Sequence, residues 1–376
     1  MTTYIINILF MIVFAAILLL YIPFQWGKKA FCIIVSIQLI LLSGLRHYSI
    51  GTDTYQYKLY YEEMGNRSWS NLWAEFINIL FKGAEGKDPG YAIFEKIIHT
   101  LTNNYQVYLI VIALIFTVPL GIWIYKNSRE PFISFLIYLC LFFSFFGITG
   151  HRQTIATALV VFIGYKFIKE RDFWPFLALI LIAFTIHKSS FVFLLYYFLA
   201  NKKITKKYLF LMSGIITAMF TFKNQAMFIL GTHTGYEQFI EQYKGAGTWT
   251  FTLLLSLIMV VTIWKHEKLL KNNPQVAYYI NALLIAMLFT PLTYVHPSAM
   301  RIVQYFSVFI MLLIPEIVEL FNKREKILIY YAIVTLLIVL FTKNNPQYLF
   351  FWGKLSNEMH KEINKKHHLD TIYLLA

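Results

Sequence analysis

The chain has 376 residues, 58% of them hydrophobic and only 14% charged, and it carries a formal net charge of +14. So little polar surface excludes a soluble globule of this size. The basic excess is dispersed between apolar runs with no binding motif beside it, which excludes a nucleic-acid-binding protein and leaves a polytopic membrane protein.

Apolar runs of span length fall near 3–22, 30–45, 104–125, 132–148, 153–168, 173–186, 189–200, 208–222, 249–264, 276–295, 300–321 and 326–342. The first has no basic segment before it and no small-residue cleavage site after it, so it reads as a retained span. Cys32 and Cys140 both fall within spans, and no disulfide framework is implied. The run 173–200 could be one long helix, but both its flanks, Lys169 to Arg171 and Lys202 to Lys207, are basic. Basic loops stay in the cytoplasm, so an even number of crossings must separate these two. The run is therefore read as a hairpin of two short helices, with His187, Lys188, Ser189 and Ser190 at its outward tip.

The same rule orients the rest. Lys28 and Lys29, Lys126 and Arg129, Lys166 to Arg171, the lysines of 202–207, Lys265 to Lys271, and Lys323 to Lys326 place 17 of the 33 basic residues in six short alternate loops. Those loops are assigned to the cytoplasm. The stretches near 46–103 and 223–248, and the tail 343–376, are then extracytoplasmic, as are both termini. The expected fold is all-α: a single integral membrane domain over 1–376 with about twelve membrane segments.

Ionisable side chains at the ends of apolar runs are costly and usually functional. On the outer side these are Arg46, His47 and Asp53; then His151, Arg152 and Gln153; then His187 and Lys188; then His296 and Arg301. The loop at 223–248 adds His233, Tyr236, Glu237 and Tyr243. Arginine presents a planar fork of donors that stays charged, which suits a phosphate or diphosphate. Tyr55, Tyr57, Tyr60 and Tyr61 offer apolar faces with polar tips, suited to sugar rings, and equally to an aromatic belt. Asp53 and the histidines are the available bases for a sugar hydroxyl. Asp53 also reads as a cap on the helix that follows, and Arg46 and Arg301 as anchors that snorkel to headgroups. The triplet His151, Arg152, Gln153 enters a long apolar helix, where three polar residues need partners in the bundle. No helical His-x-x-x-His pair, carboxylate cluster or phosphate-binding loop occurs.

Four stretches together resemble a known family. They are Leu45-Arg46 followed by Gly51-Thr52-Asp53-Thr54 and Tyr57; Gly150-His151-Arg152-Gln153 through Ala156; Phe184 to Ser189; and Arg301 to Phe306 with Tyr305, ahead of Ile314-Pro315. In this order they resemble the EpsG-like family of Wzy-type polysaccharide polymerases, over most of the chain. The chain departs from the family at His151, which stands where relatives carry a small residue before Arg-Gln-x-x-Ala. The tail Asn345 to Phe351 matches the Tyr-Pro-Tyr end only loosely.

The resemblance implies a multi-pass enzyme of the bacterial cytoplasmic (inner) membrane, similar to GT-C-like glycosyltransferases with lipid-phosphate donors. Such an enzyme joins undecaprenyl-diphosphate-linked repeat units outside the cytoplasm into capsule, exopolysaccharide or O antigen. It implies membrane lipid, a flippase and a chain-length regulator as partners and no cofactor, with a divalent metal left open. By analogy with that class, Asp53 is the first choice of base and His187 the second. Arg46, Arg152 and Arg301 would hold the diphosphate, and His151, Gln153, Lys188, Tyr57 and Tyr305 would line the rest. A ligase using the same donor would need almost the same site. A flippase or transporter calls for mid-bilayer charges and repeat symmetry, which the sequence lacks, and an acyltransferase for a donor arriving from the cytoplasm.

Overall fold

Within a bilayer every backbone N–H and C=O must be satisfied inside its own segment, so apolar runs of this length fold as helices. The computed structural model describes residues 2–51, 53–234, 248–344 and 347–354, and among them it contains helices and turns with no β-sheet. Helices α1 (Thr2–Leu20) and α2 (Phe24–Gly44) lead to three helices of the first long loop, α3 (Thr54–Glu63), α4 (Trp69–Phe81) and α5 (Pro89–Leu101). Next come α6 (Tyr105–Asn127), α7 (Pro131–Ile137), α8 (His151–Thr157), α9 (Gly164–Glu170), α10 (Phe173–Ile186) and α11 (Leu194–Leu199). The remaining helices are α12 (Lys206–Thr221), α13 (Lys223–Thr234), α14 (Trp249–Asn272), α15 (Val276–Phe289), α16 (Met300–Ser307), α17 (Ile310–Glu319) and α18 (Lys323–Asn344).

Small residues set the closest packing. A side chain at Gly44 would meet Ile110 at 2.9 Å, and one at Gly121 would collide with Ser36, so α2 and α6 approach along both positions. π-Helical turns at Tyr138–Phe142 and Ser144–Thr149 prolong α7, and another at Ala158–Ile163 joins α8 to α9. Such turns insert a residue into the α-helical register and frequently lie at functional sites; here two of them flank Gly150 to Thr157.

Among the described residues five helices are long and apolar enough to cross a membrane: α1, α2, α6, α14, and α15 with its continuation to Tyr294. The pair Pro297–Ser307 and Ile310–Glu319, bent by 50°, makes a sixth. The expected count of about twelve is not reached by this measure, for local reasons. The helices over 131–149 and 151–170 are interrupted by π turns, and α10 and α12 have 14 and 16 residues.

The chain does reverse at His187. That residue leaves helical geometry at φ −156° and ψ 105°, a 3₁₀ turn over Lys188–Phe193 leads into α11, and Phe173 meets Tyr197 with ring centroids 5.2 Å apart.

The six basic loops meet at one end of the bundle. Lys28 donates to the Ser128 carbonyl at 2.6 Å, and Lys169 to Asn127 at 3.3 Å and Gln275 at 3.1 Å. Asn281 donates to the carbonyls of Ala200 and Lys202, and Asn273 to Glu316 at 2.9 Å. Arg129 pairs with Glu316 and Glu319, and Lys326 with Glu319. At the other end the chain after α18 returns to the exit of α2. The His47 N–H donates to the Leu349 carbonyl at 2.8 Å, the Phe351 N–H to the Leu45 carbonyl at 2.9 Å, and the Tyr348 hydroxyl to the Leu42 carbonyl at 2.7 Å.

Candidate functional site

The end opposite the basic loops holds a site built around a carboxylate that the sequence reading passed over. Proline at the first position of α5 fixes the helix start and keeps the residue before it out of helical geometry. That residue, Asp88, takes a left-handed conformation (φ 52°, ψ 53°) and its side chain makes no capping bond to its own helix. The conformation costs a non-glycine residue about 1–2 kcal/mol, and the side chain's partners offset it. Asp88 Oδ2 pairs with Arg152 Nη1 at 2.8 Å and faces His187 Nδ1 at 3.5 Å, while Oδ1 accepts the Lys188 backbone N–H at 3.1 Å. Only 6% of Asp88 is exposed. Burial alone would push its carboxyl up, but His187, Arg152 and the Lys188 N–H outweigh it and hold the group below the usual carboxylate range.

His187 is oriented by this contact. An ionised carboxylate only accepts, so Nδ1 carries the hydrogen and the lone pair is on Nε2. That nitrogen is buried and has no hydrogen-bond partner in the structure. Burial comes first among the influences on the ring and holds its pKa below the ordinary histidine value against the pull of Asp88, so the imidazole is neutral at pH 7.

Arg152 lies over the rings of Tyr57 and Tyr91, 5.8 and 5.9 Å from their centroids. Arg301, on α16, acts electrostatically on Tyr57, Lys87, His187 and Tyr305, and it makes no ion pair among the described residues. Lys188 Nζ donates to the Gly86 carbonyl at 3.3 Å. The cations crowd one another: the Lys87 ammonium is pushed below its ordinary value by burial and then by Arg152, Arg301 and Lys188, with Asp88 alone opposing. Tyr305 is fully buried, its hydroxyl 3.4 Å from Ser189 Oγ.

Of the expected residues, Arg152, His187, Lys188, Arg301, Tyr57 and Tyr305 therefore converge. Asp53 is half-buried at the start of α3, caps nothing with its side chain, and acts electrostatically on Tyr57. Arg46 lies apart. It is completely buried and donates to the carbonyls of Ser43 and Ile148, the latter at 2.9 Å, and to His151 Nε2 at 2.9 Å. His151 in turn stacks on Tyr57, with centroids 4.3 Å apart and planes at 17°. Gln153 donates to the Arg301 carbonyl at 2.7 Å, which ties α8 to the helix carrying Arg301. His47 bonds Ser49 at 2.7 Å, and His296 accepts the Ser298 N–H at 3.1 Å. The His233 side chain, Thr52, Tyr236, Glu237, Tyr243 and the tail after 354 lie outside the described residues.

A second carboxylate missed in the sequence lies beneath Arg152. Glu95, 2% exposed, accepts from the Tyr108 hydroxyl at 3.3 Å, and Tyr108 and Tyr91 share a hydrogen bond of 2.6 Å. Burial pushes the Glu95 carboxyl up to about 7 against the hydrogen bonds of Tyr91 and Tyr108. Among the described residues no three His, Cys, Asp or Glu side chains gather as a metal site would need.

A family model described as the EpsG family matches residues 29–351. No curated protein and no solved structure matches the chain.

Proposed function

The chain belongs to the EpsG family, and from that premise we propose that it is a polysaccharide polymerase that joins lipid-diphosphate-linked oligosaccharide repeats on the extracytoplasmic side of the membrane. The observation that carries this reading is that Asp88 pairs with Arg152 and accepts the Lys188 N–H, while Arg301 acts on the same His187 and makes no ion pair among the described residues, at the end of the bundle away from the basic loops. Such an excess of cations suits a diphosphate, whose negative charge grows as its bond to the sugar breaks.

The growing chain on its lipid diphosphate is the donor, and a sugar hydroxyl of a fresh lipid-linked repeat is the acceptor. His187 Nε2 takes the hydroxyl proton, and Asp88, bonded to the opposite nitrogen, holds the ring in the required tautomer and steadies the imidazolium that forms. The acceptor oxygen bonds to the anomeric carbon while that carbon's bond to the diphosphate oxygen breaks, and the lipid diphosphate leaves as an anion between Arg301 and Arg152. The leaving group needs no proton. The order of the two expected bases is thus reversed: Asp53, on the tyrosine side, is placed to accept hydrogen bonds from the acceptor sugar. Arg46 acts as a structural tie, since both its Nη groups are engaged by carbonyls and His151.

Purified protein in liposomes, given only the lipid-diphosphate-linked repeat, should produce a ladder of lengths. Transfer solely to a different, terminal acceptor would replace this reading with a ligase. Movement of intact lipid-linked repeat across the bilayer without bond formation would replace it with a flippase.

A further inference from the structure

Helix α4 presents an apolar stripe that the bundle does not cover. Trp69, Trp73, Phe76, Ile77 and Leu80 follow helical spacing and share one face, and Phe81 extends it. Trp73 is 50% exposed and Phe81 75%. Asn71, Glu75 and Asn78 lie on the opposite face, and Leu72, between the two, is buried. Ser68 starts the helix by accepting the Asn71 N–H at 3.2 Å, so the element is defined by its own sequence rather than imposed by packing.

The elements that follow α4 in the chain also expose apolar side chains. Helix α4 packs on α5, which exposes Ile97 and Leu101; α6 follows closely and exposes Val107, Leu114, Val118 and Ile122 along one face of a span. Two tryptophans one turn apart, each with an apolar ring and a polar N–H, are the side chains that settle at the water boundary of a bilayer. The inner side of α4 carries the loop that ends at Asp88. The N–H groups of Lys82 and Ala84 both donate to the Asn78 carbonyl at 3.1 Å, and Gly86, at φ +154°, packs so closely on Ile79 that a Cβ would collide with it.

The geometry points to α4 as a helix lying in the plane of the membrane, with its Trp69–Leu80 stripe seated in the lipid surface and its inner side holding the Asp88 loop. The occupant of the stripe is bilayer lipid, argued from the apolar pattern, the two tryptophans and the helix's place in the loop that leads into α6, which is long and apolar enough to span the membrane.

The test places a spin label at 73, 77 or 71 in full-length protein whose buried Cys32 and Cys140 are replaced by alanine, in liposomes of phosphatidylethanolamine and phosphatidylglycerol. Collision rates with oxygen, which partitions into lipid, are compared with those of a water-soluble nickel chelate. Oxygen should dominate at 73 and 77 and nickel at 71. If the Trp73→Cys protein fails to fold, labels at 77 and 81 read the same stripe. Nickel dominating at 77 overturns the proposal by showing a water-facing helix. Exclusion of both reagents from 77 overturns it equally, because protein, including a second copy of the chain, then covers the stripe. No substrate is involved, so the outcome stands apart from that of the polymerase assay.

Discussion

The two ends of the bundle treat the charged groups that lie between helices in opposite ways. Where the basic loops meet, Arg129 and Lys326 are matched by Glu316 and Glu319, and Lys28 and Lys169 are taken up by neutral oxygens of neighbouring loops. At the other end Asp88 pairs with Arg152 and accepts the Lys188 N–H, while Arg301, which acts on the same His187, makes no ion pair among the described residues. Charge balanced within the protein fastens helices together. A surplus at a half-buried position is a standing attraction for an anion, which under the proposed function is the diphosphate of a lipid-linked substrate.

The sharpest way to break this contrast is to remove the base. His187→Ala should lower polymer formation by ~10²–10⁴-fold, with protein abundance in the membrane unchanged. The wild-type rate should hold while the imidazole is neutral and fall as pH drops through its lowered pKa, which places the acid limb below the ordinary histidine range. A rate indifferent to both the substitution and that pH range would remove His187 from the chemistry.

Next in size are the arginines. Arg301→Gln removes donors aimed at developing charge and should cost ~10²-fold; Arg301→Lys and Arg152→Lys keep the charge but lose the fork and should cost less, about tenfold. Equal activity of the lysine and arginine forms would show that only net charge matters there.

Asp53→Asn sharpens the assignment of the base. With His187 as base, the substitution should leave most of the polymer ladder intact and weaken acceptor binding, seen as a raised KM. Complete loss at saturating substrate would restore Asp53 to that role.

At the opposite end, Glu316→Gln removes one matched charge. It should cost about 1 kcal/mol of stability, since Arg129 is 40% exposed and keeps Glu319 nearby. The polymerisation rate of the folded protein should not change. Thermal unfolding in detergent measures the first and the ladder assay the second.

A separate effect, on the pH dependence of stability rather than on rate, concerns Glu95. Its carboxyl is raised, so the stability of the protonated form is fully present below the ordinary carboxylate range and is lost as pH rises through about 7. Glu95→Gln should flatten that slope, read as the difference in unfolding temperature between acidic and mildly alkaline buffer.

Much of this was legible in the sequence where the signal is local or periodic. Basic flanks at Lys169 and Lys202 force a reversal between them, and His187 is where the chain turns. The arginines at run ends announce themselves against an apolar background, and Arg152 and Arg301 do meet near His187. Asp88 was illegible because its role comes from contacts with residues 64 and 99 positions away, and nearby it looks like an ordinary polar residue before a helix-starting proline. Arg46 reads like the other arginines; only the packing of α2 against the π turn ending at Thr149 shows both its Nη groups spent within the protein. The π turns and the shortened helices have no signature in hydropathy, which is why the span count exceeds what the helices supply.

The return of residues 348–351 to the exit of α2 has a consequence for how the protein is made. The partners of Leu42, Leu45 and His47 are among the last described residues to be synthesised, some three hundred positions later. The anchor of the loop that carries the tyrosines and Asp88 is therefore completed only once residues 348–351 have left the ribosome, and a nascent chain halted before Tyr348 lacks that fastening.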